Sequence, residues 1–281
     1  MVSTFVHIGP PRTGTTWLYY ALVNYVGLPA PPLKETRFFD SNFSKGPGWY
    51  RARFKLVEGQ PWGEICPTYF ISPEAPERIA QLMPAVRIVC TLRDPVSRLY
   101  SLYRMLNNSG AVRMGFEEAI VSYDELVETA RYTFHLQRWL DVFGADRLLV
   151  MLYDDLLADP YQYVTRFCDF IGASPPAKSA IPNDRIEASE RFKMMPRFPQ
   201  LARLAARTSN WLMEHQFHSV VSFGKRLGLR SLAESRQELP ALSPVAEIKL
   251  RARFRPEVEE LERLLSVDLS HWKDCASVAA G

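Results

Sequence analysis

Gly9-Pro10-Pro11-Arg12-Thr13-Gly14-Thr15-Thr16 is the segment with the plainest capacity for chemistry. Two glycines enclose four residues, among them the cation Arg12, and two threonine hydroxyls follow. A glycine-bounded turn at the start of a helix aims backbone N–H groups at one point, and such a cradle suits a phosphate or another anion. The nucleoside-triphosphate loop reads G-x-x-x-x-G-K-[ST], its lysine reaching the β- and γ-phosphates and its hydroxyl holding Mg²⁺. The glycine spacing matches, but Thr15 stands at the lysine position and the basic residue sits inside the loop. A kinase or ATPase of that type would lack its β/γ-phosphate lysine. Taken alone, the segment also fits a strand-to-helix turn that holds no ligand.

A cradle of this kind needs a strand before it and a helix after it. Thr4 to Ile8 is a short β-branched run that stops at Gly9, and helical spacing takes over at Thr15, Trp17, Leu18, Ala21 and Leu22. The pattern repeats downstream. Pro73 to Met83 reads as a short helix, Val86 to Leu92 as a second buried strand closed by Arg93-Asp94-Pro95, and Val96 to Leu106 as a helix. Tyr132, Leu136, Trp139, Leu140 and Phe143 keep helical spacing up to Gly144; a third strand is predicted over 147–152 and a helix over 161–171. Strands alternating with helices predict an α/β fold, a P-loop-type three-layer sandwich with a mainly parallel central sheet and helices on both faces. Residues 174–244 read as irregular helices and loops that cap the sheet and shape an acceptor cleft, leaving 1–281 as a single domain. Leu250, Phe254, Val258, Leu261 and Leu265 mark an amphipathic helix over 247–265.

A second candidate lies where the second predicted strand ends. Arg93 closes it, and Ser101 follows eight residues later in the next helix. A strand-end arginine can take phosphate oxygens bidentately, although Arg93-Asp94 alone reads equally as a surface ion pair. Together, Gly9 to Trp17 and Arg93-Asp94-Pro95-Val96-Ser97-Arg98-Leu99-Tyr100-Ser101 resemble the two nucleotide motifs of the PAPS-dependent sulfotransferase superfamily. The chain is more similar to its glycosaminoglycan, tyrosylprotein and bacterial branches than to its small-phenol branch. The likeness runs from Val2 to about Gly172, weakens through Pro244 and returns faintly in the C-terminal helix.

The resemblance implies that PAPS (3′-phosphoadenosine 5′-phosphosulfate) is the co-substrate and that no metal is required. By it, the N–H groups of Thr13, Gly14, Thr15 and Thr16 receive the 5′-phosphate, and Arg12 stabilises the charge left there. Arg93 and Ser101 hold the 3′-phosphate. Trp17 stands where a family aromatic packs on the adenine, a position a core aromatic fills equally well. Lys34-Glu35-Thr36-Arg37-Phe38-Phe39-Asp40 looks like the segment that carries the catalytic glutamate, making Glu35 the general base and Lys34 the cation on the transferring group; the alternative is a solvated charge pair. Glu64 to Phe70 and Ser72 to Pro76 resemble segments beside the acceptor, with a cleft expected near Phe38, Tyr69 and Phe70. Arg12 replaces the family's more usual lysine and, unlike it, cannot give up a proton. The late Arg-Lys-Gly segment of the small-phenol branch has no clear counterpart, Lys225-Arg226 being the nearest. That branch's histidine base has none either: His135 falls on a structural helix, and His215, His218 and His271 have no motif around them.

Composition narrows the rest. Hydrophobic residues are 47% and charged residues 23% of 281, ordinary globular values. A net charge of +3 gives no bulk reason to expect a nucleic-acid partner. Cys66, Cys90, Cys168 and Cys275 form no CxxC pair, so zinc and disulfide-framework spacings are missing. No apolar run approaches the roughly 18–20 residues of a membrane span, and no basic-then-apolar signal opens the chain. Cytoplasmic location without membrane attachment is the expectation, with a sugar or small hydroxylated metabolite as acceptor. Two other readings stand beside it: an Mg²⁺-dependent P-loop kinase, and a nucleotide-binding protein that keeps the fold without catalysis.

Overall fold

The computed structural model describes residues 3–31, 34–181, 194–196, 234–238 and 241–274. In chain order the elements are β1 (Thr4–His7), α1 (Thr15–Ala21), α2 (Gly46–Arg51), β2 (Trp62–Ile65), α3 (Ala75–Leu82), β3 (Arg87–Leu92) and α4 (Pro95–Asn108). Then follow α5 (Phe116–Ser122), α6 (Asp124–Glu128), α7 (Tyr132–Phe143), β4 (Leu148–Leu152), α8 (Tyr153–Ala158) and α9 (Pro160–Ile171). A short β5 (Met194–Pro196), β6 (Glu234–Glu238) and the long α10 (Pro244–Leu265) complete the series. The chain divides into two compact units, Met1–Asp94 with Arg131–Ile186 and Arg255–Trp272, and Pro95–Ala130 with Glu187–Phe254 and Lys273–Gly281.

The first unit is built on a four-stranded sheet of order β2-β1-β3-β4, every pairing parallel. Alternation along the strands sends side chains to two apolar layers. Val6, Ile88, Cys90 and Leu92 face a core with Phe38, Tyr69, Leu136, Trp139, Val258 and Trp272. Phe5 and Val89 face another with Trp17, Leu18, Tyr163, Val164 and Phe167. Covering on both faces is why the central strands read as unbroken apolar runs. Helix α9 shows the local logic: the Asp159 carboxylate accepts from Gln162 N at 3.0 Å, Pro160 opens the first turn, and Gly172 closes the helix at φ 72°.

Strand β2 is not foreseen from the sequence. Trp62-Gly63-Glu64-Ile65 carries a charge and a glycine at its centre, yet Gly63 and Glu64 are both buried. In the second unit Val96, Leu99, Leu102, Ala119, Leu126, Leu250 and Phe254 form a core of their own, and β5 pairs antiparallel with β6. Of the positions the amphipathic pattern names, Leu250, Phe254, Val258 and Leu261 are buried and Leu265 is partly buried, and Ala246 and Arg251 are buried beside them. Most of 174–244, Lys225-Arg226, His215 and His218 included, lies outside the described residues. Among the described residues no helix is long and apolar enough to cross a membrane, and no group of His, Cys, Asp and Glu side chains is arranged to hold a metal ion.

Candidate active site

The chain runs from β1 to β2 on one side and then to β3 on the other, so the carboxyl ends of β1 and β3 form the switch point of the sheet. Ligands of open α/β sheets bind at such a crevice. The segment 9–16 leaves β1 there. A methyl group on Gly9 would stand 2.7 Å from both N and O of Thr91 on β3, so glycine alone lets the two strands run this close. Beyond it Arg12 and Gly14 take positive φ, 75° and 82°. The first is costly for a side-chain-bearing residue and is the kind of strain found where backbone groups are aimed for a purpose. The Thr13 hydroxyl donates to Pro10 O at 2.9 Å across the turn, and Leu18 N donates to Gly14 O at 3.0 Å as α1 begins.

Arg93 leaves the end of β3 and donates from Nη1 to Arg12 O at 3.2 Å, while its guanidinium lies 4.6 Å from the Tyr153 ring centre. One strand-end cation is thereby tied to the loop that leaves the neighbouring strand. A second cation comes from the segment after α1. Lys34 Nζ donates to Thr15 Oγ1 at 3.2 Å and to Glu35 Oε1 at 2.8 Å. Glu35 is the most open of the three, its side chain 37% exposed against 18% for Lys34. A partly exposed carboxylate, an ammonium and the first residue of α1 thus meet by hydrogen bonds.

Two buried polar groups underlie this arrangement. His7, fully buried at the end of β1, shares a 2.8 Å hydrogen bond between Nε2 and Thr91 Oγ1, which lies 2.6 Å from the Tyr163 hydroxyl. Burial first, and then the charge of Lys34, lower its pKa to about 3, so the imidazole stays neutral. Glu64 on β2 is 1% exposed. Its Oε2 accepts from Thr36 N at 3.2 Å and Thr36 Oγ1 at 2.7 Å, and its Oε1 accepts from the Tyr69 hydroxyl at 2.9 Å. Burial raises its pKa to about 7 against the opposing pull of those hydrogen bonds.

Arg12, Thr13, Gly14, Thr15, Lys34, Glu35 and Arg93 all belong to the first unit, where hydrogen bonds join Arg93 to Arg12 and Lys34 to both Thr15 and Glu35. Thr16 is exposed on α1, whereas Trp17 is 7% exposed and packs in the second apolar layer. Ser101 lies on α4 in the second unit and is 5% exposed. The expected cleft near Phe38, Tyr69 and Phe70 needs correction, because all three are 0% exposed. Phe38 stacks on Tyr50 at 4.7 Å, and the Tyr69 hydroxyl serves Glu64; these rings are core. His135 is likewise core, 2% exposed and 5.2 Å from Phe70. Sequence reasoning missed His7, Thr91, Tyr153 and Tyr163. Glu64 lay inside a quoted motif, but its partners are distant in sequence and no spacing announces them.

A family model described as "Sulfotransferase domain" matches residues 3–220. "Bifunctional heparan sulfate N-deacetylase/N-sulfotransferase 4" of Mus musculus is 33% identical over 194 residues, 61% of this chain and 22% of that protein. "Heparan sulfate glucosamine 3-O-sulfotransferase 3A1", also of Mus musculus, is 30% identical over 148 residues, 49% of this chain and 38% of that protein. The chain therefore spans well under half the length of these relatives. A sulfotransferase from Alicyclobacillus acidocaldarius superposes with a TM-score of 0.69 at 22% identity, covering 96% of this chain and 98% of that one. That likeness establishes the fold as the P-loop-type α/β sandwich.

Proposed function

This chain belongs to the sulfotransferase family, and on that premise we propose that it moves a sulfuryl group from PAPS to an acceptor hydroxyl on a sugar or small metabolite. The observation that carries the proposal is the Lys34 ammonium, bonded at once to Thr15 of the phosphate loop and to Glu35. A base, a cation and a donor cradle are thereby held within one side chain's reach.

In this mechanism the acceptor hydroxyl gives its proton to the Glu35 carboxylate as its oxygen forms the new bond to sulfur. The bond from sulfur to the 5′-phosphate oxygen breaks, and adenosine 3′,5′-bisphosphate leaves. Charge develops on that oxygen, and a cation aimed there stabilises the transition state more than the ground state. Arg12 and the N–H groups of 13–16 have that task, and Lys34 faces the sulfuryl oxygens. Arg93 and, by the motif alone, Ser101 take the 3′-phosphate. A sulfuryl group carries less negative charge than a phosphoryl group, which reduces the need for a metal clamp.

Calorimetry without metal should show adenosine 3′,5′-bisphosphate binding far more tightly than ATP; the reverse preference, with Mg²⁺-dependent ATP turnover, would favour a kinase. An acceptor screen with labelled donor then tests catalysis. Arg12→Ala or Glu35→Ala should each lower the rate by about 100-fold or more with the fold intact. Full activity in Glu35→Ala would remove the base assignment, and bisphosphate binding without transfer to any acceptor would leave only a binding protein.

A further inference from the structure

We propose that Glu64 is a positioning residue for the loop that carries Lys34 and Glu35, an inference that rests on the reading of Glu35 as the base. The buried Tyr50 hydroxyl on α2 also faces its carboxylate, but the hydrogen bonds of good geometry come from that loop and from a tyrosine that holds it. Thr36, the residue after Glu35, gives Glu64 both its N–H and its hydroxyl, at 3.2 and 2.7 Å. Tyr69 gives its hydroxyl at 2.9 Å and in turn accepts from Phe39 N at 3.2 Å. The Thr36 oxygen accepts from Phe38 N at 3.2 Å. The backbone N–H groups of residues 36, 38 and 39 thus hang, directly or through one hydroxyl, on a single carboxylate.

The loop requires such a hold. Arg37 adopts φ 52°, a left-handed conformation that a non-glycine residue keeps only when its surroundings over-determine it. Phe38 and Phe39 on one side of it are 0% exposed, while Glu35 on the other is open. The chain therefore turns from the surface to the core within a few residues, and Glu64 sits beneath the turn. A buried carboxylate is costly unless its oxygens are used. An apolar residue would spare that cost but strand the Thr36 N–H and two hydroxyls. Glu64 neither contacts a reacting atom nor needs to: it holds Thr36, and Thr36 fixes where Glu35 begins.

The test couples hydrogen exchange over 34–39 to single-turnover transfer of labelled sulfate and to binding of adenosine 3′,5′-bisphosphate. It uses the full chain and its Glu64→Ala, Glu64→Gln and Tyr69→Phe variants. Glu64→Ala should lose protection at Thr36, Phe38 and Phe39 by about tenfold or more while β1 and α1 keep theirs. Its transfer rate should fall about 100-fold, the effect of roughly 1 Å of misplacement, with bisphosphate affinity retained. Glu64→Gln, which keeps the shape and most of the hydrogen bonds, should recover both. Tyr69→Phe should lose protection at Phe39 in particular, and it carries the test if Glu64→Ala fails to fold. Unchanged exchange over 34–39 in Glu64→Ala and in Tyr69→Phe overturns the proposal whatever the activity. Lost protection with an undiminished rate overturns it as well, since Glu35 would then need no positioning. A wild-type protein that binds the bisphosphate but transfers nothing sinks the functional reading instead, while exchange still decides whether Glu64 holds the loop.

Discussion

Replacing Glu64 with glutamine keeps the side chain's shape and removes one titration from the unfolding equilibrium. Burial raises the Glu64 pKa from 4.5 to about 7 in the folded protein. The folded state therefore keeps its proton through a range in which the unfolded chain has released it. With more protons bound when folded, stability falls as pH rises from about 4.5 to about 7, and the full interval corresponds to about 3 kcal/mol. His7 runs the other way. Its pKa drops from 6.5 to about 3 on folding, so its contribution is present above 6.5 and is lost as pH falls from there toward 3. Between about 4.5 and 6.5 the two slopes oppose each other, and the wild-type profile alone hides both. The difference between Glu64→Gln and wild type isolates Glu64, because His7 is common to the two proteins. Urea unfolding followed by tryptophan fluorescence at pH 5, 6, 7 and 8 should show Glu64→Gln gaining about 2 to 3 kcal/mol on wild type across the series. A difference that stays constant over that range would mean an ionised carboxylate at its ordinary pKa, and the account of Glu64 as a desolvated group would fail.

The glycines of the loop should separate packing from conformation. Gly9→Ala sets a methyl group 2.7 Å from backbone atoms of Thr91, which cannot rotate away, so a loss of about 3 kcal/mol is expected in thermal or urea unfolding. Gly14→Ala meets the Leu156 side chain at 2.7 Å and must hold φ 82°; its stability loss should be smaller, about 1 to 2 kcal/mol, with the larger effect on bisphosphate affinity in calorimetry. If Gly9→Ala were as stable as wild type, the strands would not be as close as described. Lys34→Met removes the links to Thr15 and Glu35, and transfer should slow by about 100-fold while bisphosphate binding changes little; an equal loss in both would move Lys34 to donor binding.

Strands β1, β3 and β4 were legible because a strand covered on both faces has to be apolar throughout, and few other segments of this chain are. Their lengths differ from expectation by a residue at an end. Helices α7 and α10 were legible through spacing, and α7 through its stop at Gly144 as well. Strand β2 was not, since a central charge and glycine violate the pattern of a buried strand, and what permits them is a set of partners elsewhere in the chain. Helices α2, α5, α6 and α8 are too short for periodicity to register. Aromatic residues misled in the opposite direction: Phe38, Tyr69 and Phe70 lie close in sequence to the candidate base and to residues with chemistry, but closeness along the chain says nothing about which side of the backbone a ring faces.

The same distinction divides the site itself. Among the candidate residues, Arg12, Thr15 and Arg93 could be named from sequence because each sits at a fixed offset from a strand end or a glycine, and Lys34 and Glu35 because the segment 34–40 resembles a family motif. The buried polar residues near them could not, because their partners lie far along the chain: Thr91 is 84 positions from His7, and Thr36 is 28 from Glu64. Parallel strand order supplies the missing relation. It lays β1 between β2 and β3, so the buried polar ends of three strands, His7, Glu64 and Thr91, fall under one edge of the sheet. In the proposal above, Glu35 owes its placement to one of them, Glu64, through Thr36. Activity should accordingly be sensitive to Glu64, which meets no ligand in this mechanism, as well as to Glu35, which does.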